Sequence, residues 1–285
     1  MIAARGCVLG IDVGYSADDR TTGLCALAWD DDVLTWQTAV TGTASGLRTA
    51  ALRQLLEKVD HVDGVAIDGP LRPGLVCVPE YRCAESLLAR GVFQRRGKPG
   101  ASHYGFGWDL HRAATAMAKL VVRITGVRRD AVVEAFPNGF LAVLHDEAGF
   151  PRSADVQRRW TDVLYARPCV RTALERLLAD VAPGRTMTGD WDFAGSPQSD
   201  LHDVRAALVC ALTALCVAAH RCVAVGAPTD GFIHLPPRSA WGRGAGDGAP
   251  WAEVALRKNV DAVCSDRVRG WSPAVHSDGS RWLPA

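Results

Sequence analysis

Asp12, Asp68, Glu134 and the pair Asp200 and Asp203 are the residues of this chain whose types and spacing could do chemistry. The apolar runs "VLGID", "GVAID" and "AVVEAFP" each carry an acid, for which a buried strand normally has no place, so each acid is expected at or near the strand's end. Asp200 and Asp203 open an Ala/Leu-rich stretch with helical spacing and are neighbours on one helical face. Taken singly, each acid has an ordinary explanation. Asp12 reads as a solvated strand end. Asp200 and Asp203 would complement a helix dipole by about 0.3–1 kcal/mol each, and Asp200, behind Ser199, also reads as part of a cap. Four carboxylates converging on one sheet edge would instead repel unless protonated or neutralised by bound cations. Mg²⁺ prefers hard oxygen ligands and keeps several waters. Two such ions ~3.5–4 Å apart can stabilise both the attacking and the leaving oxygen of a phosphodiester displacement. That is nuclease chemistry.

The elements that must position these acids follow from the pattern around them. Gly14 and Gly23 bracket a polar reversal after Asp12, and "GLCALAW" and "VLTWQTAV" continue as two more strands of an antiparallel meander. Thr43 to Val59 carries Leu47, Ala51, Leu55 and Val59 at near-helical spacing, an amphipathic crossover into the strand that ends at Asp68. A right-handed crossover lays that strand beside the first, so Asp12 and Asp68 emerge at the edge where ligands of such sheets bind. Phe106, Leu110, Ala113, Met117, Leu120 and Ile124 mark a second helix, ended by Gly126, which leads to the strand carrying Glu134. Polar helices at about 153–165 and 168–181 and a loop at 183–197 come next. On the late helix Asp203, Ala207, Cys210, Ala214 and Val217 share a face whose small side chains allow close approach to a sheet. "GFIHLP" reads as one more strand, and the Gly/Trp-rich stretch beyond it has no assignable pattern.

Composition narrows the partners. With 285 residues, 48% of them hydrophobic and 22% charged, the chain can bury a sizeable core as one large domain or as one domain with an extension. A net charge of +1 gives no global attraction to polyanions, so nucleic-acid contact must come from local patches. Arg90, Arg95, Arg96 and Lys98, with Phe93 among them, form one such patch that could bind phosphates and stack a base; a solvated basic loop is the blander reading. The nine scattered cysteines show neither Cys-x-x-Cys pairs nor a small-scaffold disulfide pattern, which fits reduced thiols in a cytoplasm. No cleavable signal pattern and no membrane-length apolar window are evident, so a soluble protein is expected. His202 and His103 are conceivable proton-transfer groups, although a His beside an acid is more often a surface or capping residue.

The order of elements, three antiparallel strands, helix, strand, helix, strand and a late acidic helix, resembles the RNase H-like superfamily. "GIDVG" followed by "TTG" resembles its Holliday-junction resolvase branch. A closer resemblance is to a bacterial family of uncharacterised, predicted RNase H-like nucleases classed as a domain of unknown function. The matching pieces are "GIDVG", "AIDGP", "VVEAFPNGFLAVL", "HDVRAALVCALTA" and "GFIHLP". The resemblance implies that Asp12 and Asp68 are ligands of Mg²⁺ or Mn²⁺, that Asp203 supplies the helical ligand, and that Glu134 belongs to the site or its surroundings. It implies one RNase H-like α/β domain over residues 1–236, a mixed sheet of about five strands with helices on both faces. Insertions fall at about 70–104 and 138–198, with a C-terminal extension at 237–285. One departure matters. The family's late helix usually reads Asp-x-x-Asp-Ala, and Ala206 stands where the second Asp is expected, so Asp200 would compensate, one metal would suffice, or catalysis would be lost. The expected activity is therefore a slow metal-dependent nuclease acting on DNA or RNA. A catalytically retired binding or regulatory protein is the alternative. An actin-like ATP-dependent phosphotransferase shares the opening strand and turn, but lacks here the second domain it needs.

Overall fold

The computed structural model describes residues 2–15, 21–76, 80–95, 99, 106–150, 160–188, 199–244, 248–265, 271–278 and 280–283. The chain opens with an antiparallel meander, β1 (Gly6–Asp12), β2 (Thr21–Trp29) and β3 (Val33–Gly42). Helix α1 (Ser45–Leu55) crosses over to β4 (Gly64–Asp68), which pairs in parallel with β1. The short α2 (Cys83–Leu88) and the long α3 (Phe106–Thr125) lead to β5 (Val132–Ala135), parallel to β4. There follow α4 (Pro137–Leu144), α5 (Trp160–Tyr165), α6 (Pro168–Val181), the short edge strand β6 (Thr186–Thr188) and α7 (Ser199–Ala218). The chain ends with β7 (Val223–Ala227), β8 (Gly231–Leu235), α8 (Trp251–Cys264), β9 (Ala274–Ser277) and β10 (Ser280–Leu283).

All ten strands join one mixed sheet in the order β10-β9-β7-β8-β5-β4-β1-β2-β3-β6. The expected sheet of about five strands is doubled, because the hairpin β7–β8 docks in parallel on β5 and the tail pairs onto β7 through β9. Residues beyond 236 thus complete the sheet. Their tryptophans, unreadable as a pattern, have a packing role: Trp241 and Trp251 are buried with Leu87, Leu88 and Phe93 in the core beneath α2 and α8.

Strand alternation decides which side chains meet which helices. Cys7, Leu9 and Ile11 of β1 and Val65 and Ile67 of β4 pack with Met117, Ala118 and Val121 of α3 and Leu52 and Leu55 of α1. Val8 and Ala66 turn to the opposite face, toward α7. Every residue of α7 from Arg205 to Cys216 is buried, because the sheet lies on one side and α4, α5 and α6 on the other. A helix enclosed on all sides needs no polar stripe. Among the described residues no helix is long and apolar enough to cross a membrane.

Candidate metal centre

Asp12 and Asp68 end adjacent parallel strands and are direct register partners, so their Cα atoms stand one inter-strand spacing apart, ~4.8 Å. Alternation with Val8 and Ala66 turns both side chains to the α7 face. Helix α7 lies against this face backbone to backbone. A Cβ on Gly10 would fall 2.0 Å from the Ala207 carbonyl oxygen and 2.1 Å from the Ala211 nitrogen, and one on Gly23 would fall 2.1 Å from the Asp203 carbonyl oxygen. These two glycines are the seats of the helix. Gly23 is the β2 partner of Asp12, so Asp203 is set on one side of Asp12 and Asp68 on the other. The Thr21 hydroxyl donates to Asp203 Oδ2 and fixes that carboxylate. Below the row lies Cys210, whose thiol is pushed far up by burial and then by the charges of Asp68 and Asp12. Cys210 and Cys216 are small buried groups inside α7.

The closest cluster includes a residue read from the sequence only as a proton carrier. Carboxylate oxygens of Asp12 and Asp203 and a ring nitrogen of His202 all lie within 4.8 Å of one another, a group that could hold a metal ion. Two hard oxygens and one imidazole nitrogen suit a divalent cation. His202 Nδ1 sits 3.2 Å from Asp162 Oδ2 of α5, and Arg205 Nη1 donates to the other Asp162 oxygen at 2.9 Å. Burial works to raise the Asp162 carboxyl, but the His202 and Arg205 hydrogen bonds outweigh it and hold the group low. An ionised carboxylate behind a histidine orients the ring, as outer-shell partners of metal-bound histidines do. No sequence signal marks Asp162, which is forty residues away on another helix. Asp68 stands beside Asp12 by register and outside the 4.8 Å group.

Of the two readings of Glu134, the structure disfavours the ligand and catalytic one and agrees with the one that places it in the surroundings of the site. Its strand partner is Ile67, and Ala135 is the residue opposite Asp68, so Glu134 points to the face away from Asp12 and Asp68. It is 5% exposed and accepts from Arg82 Nη1 and Nη2, both at 2.7 Å, and from the Leu71 N–H at 2.8 Å. Burial pushes its carboxyl up against the pull of Arg82. Arg82, 1% exposed, donates through Nε to Glu85 at 3.0 Å and through Nη1 to the Leu71 carbonyl at 3.2 Å. Glu134 is thus committed to an ion pair behind the site and is not a ligand or catalytic group.

The expected phosphate-binding loop is only partly described. Arg90 is half-buried and donates to the Ser86 hydroxyl at 3.0 Å, and Arg95 is exposed at the end of a short 3₁₀ turn. Arg96, Lys98 and His103 lie outside the described residues, as does the side chain of Asp200. Phe93 cannot stack a base where it stands, because it is fully buried with its ring 5.2 Å from that of Trp251. Ala206, one turn before Cys210, is 2% exposed and puts a methyl group where a second helical acid was expected. A cleft of about 510 Å³ opens elsewhere, between α6 and residues 239–243, and holds none of these carboxylates. The chain matches no protein-family model, no curated protein and no solved structure.

Proposed function

We propose that the chain is a divalent-metal-dependent nuclease of RNase H-like architecture, using Mg²⁺ or Mn²⁺ to hydrolyse phosphodiester bonds of nucleic acid. The observation that carries this reading is the register of Asp12 with Asp68, flanked by Asp203 on its glycine seat. Three acids so placed on one face at the ends of adjacent elements repel one another and are suited to a cation. Asp12, Asp203 and His202 would hold the ion, with Asp68 adding negative charge beside it. A bound divalent ion supplies Lewis-acid charge at the scissile phosphate. The protein's own part is to orient. Asp162 fixes the His202 ring, Thr21 fixes the Asp203 carboxylate, and Gly23 sets how near Asp203 comes to Asp12. The imidazole in the donor set, together with the methyl of Ala206, favours Mn²⁺ over Mg²⁺ and a slow turnover.

The test is cleavage of labelled single-stranded DNA, single-stranded RNA and a four-way junction in Mn²⁺ by the wild type and by Asp12→Asn. Cleavage by the wild type and none by Asp12→Asn is expected. A second reading, a binding module that has lost catalysis, is favoured by the buried Ala206 alone. Equal inactivity of both proteins with retained binding of one substrate would establish it. If the wild type neither cleaves nor binds Mn²⁺, the nuclease reading fails.

A further inference from the structure

The direction of a carboxylate at the last residue of a strand depends on the turn that follows it. Asp12 and Asp68 are each followed by such a turn, and each turn is held from the far face of the sheet by a buried arginine. Arg48 of α1, 7% exposed, donates through Nη2 to the Gly14 carbonyl, and through Nε and Nη2 to the Thr22 hydroxyl oxygen at 3.1 and 2.9 Å. The same hydroxyl oxygen accepts the Gly14 N–H at 3.3 Å. Arg82 does the equivalent for Asp68: it donates to the Leu71 carbonyl while its partner Glu134 takes the Leu71 N–H. Thr21 and Thr22, adjacent at the start of β2, point to opposite faces, so one strand end ties Asp203 on the site face and the Asp12 turn on the other.

We infer that Arg48 and Arg82 are positioning residues that set the direction of the Asp12 and Asp68 carboxylates, and with it the affinity of the site for a divalent cation. The inference rests on the metal-centre reading and adds residues that touch no ligand. Arg48 is the more telling of the two. Among the described residues its hydrogen bonds go to neutral groups, and burial lowers its pKa without an acid to offset it. A buried guanidinium in that setting is a net cost that an apolar side chain of similar length avoids. Stability therefore does not explain Arg48, whereas holding a carbonyl in place does.

The experiment compares wild type, Arg48→Met, Arg48→Lys and Arg82→Lys in two measurements: thermal melting in EDTA, and Mn²⁺ binding by calorimetry. Arg48→Met should melt in EDTA no lower than the wild type and bind Mn²⁺ about 10- to 100-fold more weakly, the range for lost outer-shell partners. Arg48→Lys should recover part of the affinity through its single donor, and Arg82→Lys should lose affinity for want of the forked contact. A purely structural role predicts the reverse, a lower melting temperature with unchanged Mn²⁺ affinity. Folded Arg48→Met that binds Mn²⁺ as tightly as the wild type overturns the inference, and if that variant does not fold, wild-type affinity in Arg48→Lys does so. Wild-type protein that binds no Mn²⁺ at all removes the metal-centre reading and the inference with it.

Discussion

Glu134→Ala takes three hydrogen bonds from the buried ion pair at once, two from Arg82 at 2.7 Å and one from the Leu71 N–H at 2.8 Å. The Arg82 guanidinium stays enclosed, with its bonds to Glu85 and the Leu71 carbonyl still formed. Removing one partner of a buried ion pair costs about 3–5 kcal/mol, and the retained Glu85 bond places this case near the lower end. At roughly 2–4 °C per kcal/mol for a chain of this size, melting in EDTA should fall by about 6–12 °C. Asp12→Asn is distinguished from Glu134→Ala by the response to metal, because Asp12 lies between Asp68 and Asp203 in the proposed site. A cation at about a hundred times its dissociation constant stabilises the wild type by ~2.7 kcal/mol, and Asp12→Asn should forfeit that shift while Glu134→Ala keeps a shift of its own. Differential scanning fluorimetry of the three proteins with EDTA and with Mn²⁺ reads all six values. A loss below about 1 kcal/mol for Glu134→Ala would refute the ion-pair assignment. A Mn²⁺-induced shift in Asp12→Asn equal to that of the wild type would refute the metal-centre assignment of Asp12.

Other variants test the remaining steps. Gly23→Ala puts a methyl group 2.1 Å from the Asp203 carbonyl, so α7 must shift and Mn²⁺ affinity should collapse in calorimetry, whereas Gly46→Ala, with nothing within 4 Å, should leave it intact. Burial lowers the His234 imidazole to about 4 while the Glu134 backbone carbonyl pulls the other way. The unfolded chain therefore takes up that proton first, and stability present above pH ~6.5 is lost toward pH 4 at up to ~1.4 kcal/mol per unit. His234→Phe should flatten the decline in urea unfolding between pH 6.5 and 5, and an unchanged slope would count against it. Ala206→Asp adds an acid to a buried position of α7, so melting in EDTA should fall by ~1–3 kcal/mol. The Mn²⁺-induced rise should exceed that of the wild type and cleavage should quicken; an unchanged rise would show that position 206 does not face the ion.

Much of this fold is legible in the chain itself, for reasons that also explain what is not. The meander, the α1 crossover, β4, α3 and α6 follow from runs and spacings whose period matches the element formed. Asp12 and Asp68 stand out because the same pattern, an acid at the end of an apolar run before a glycine turn, occurs twice on strands that a helical crossover brings side by side. Glu134 shows where such reasoning stops. "AIDGP" and "VVEAFP" invite alignment of their acids, but the strands pair Asp68 with Ala135, and a slip of one residue moves a side chain through the sheet. Register is fixed by the lengths of loops and the packing of neighbours, which neither segment contains. His202 was legible only as a histidine beside an acid, since its value depends on Asp162 arriving from α5.

The two faces of the sheet act differently on Asp12 and Asp68. On the α7 face stand the two acids with Asp203; on the other, Arg48 and the Arg82–Glu134 pair reach the backbone of the turns after Asp12 and Asp68. A guanidinium bonded to a peptide carbonyl through the thickness of the sheet acts on where the acid points through the main chain, from the face opposite the one on which α7 brings Asp203. Because that contact is made to the turn, its loss should be read first in the geometry of the acid, and so in the affinity for a cation, which is why metal binding rather than melting alone is the measurement that separates the two roles.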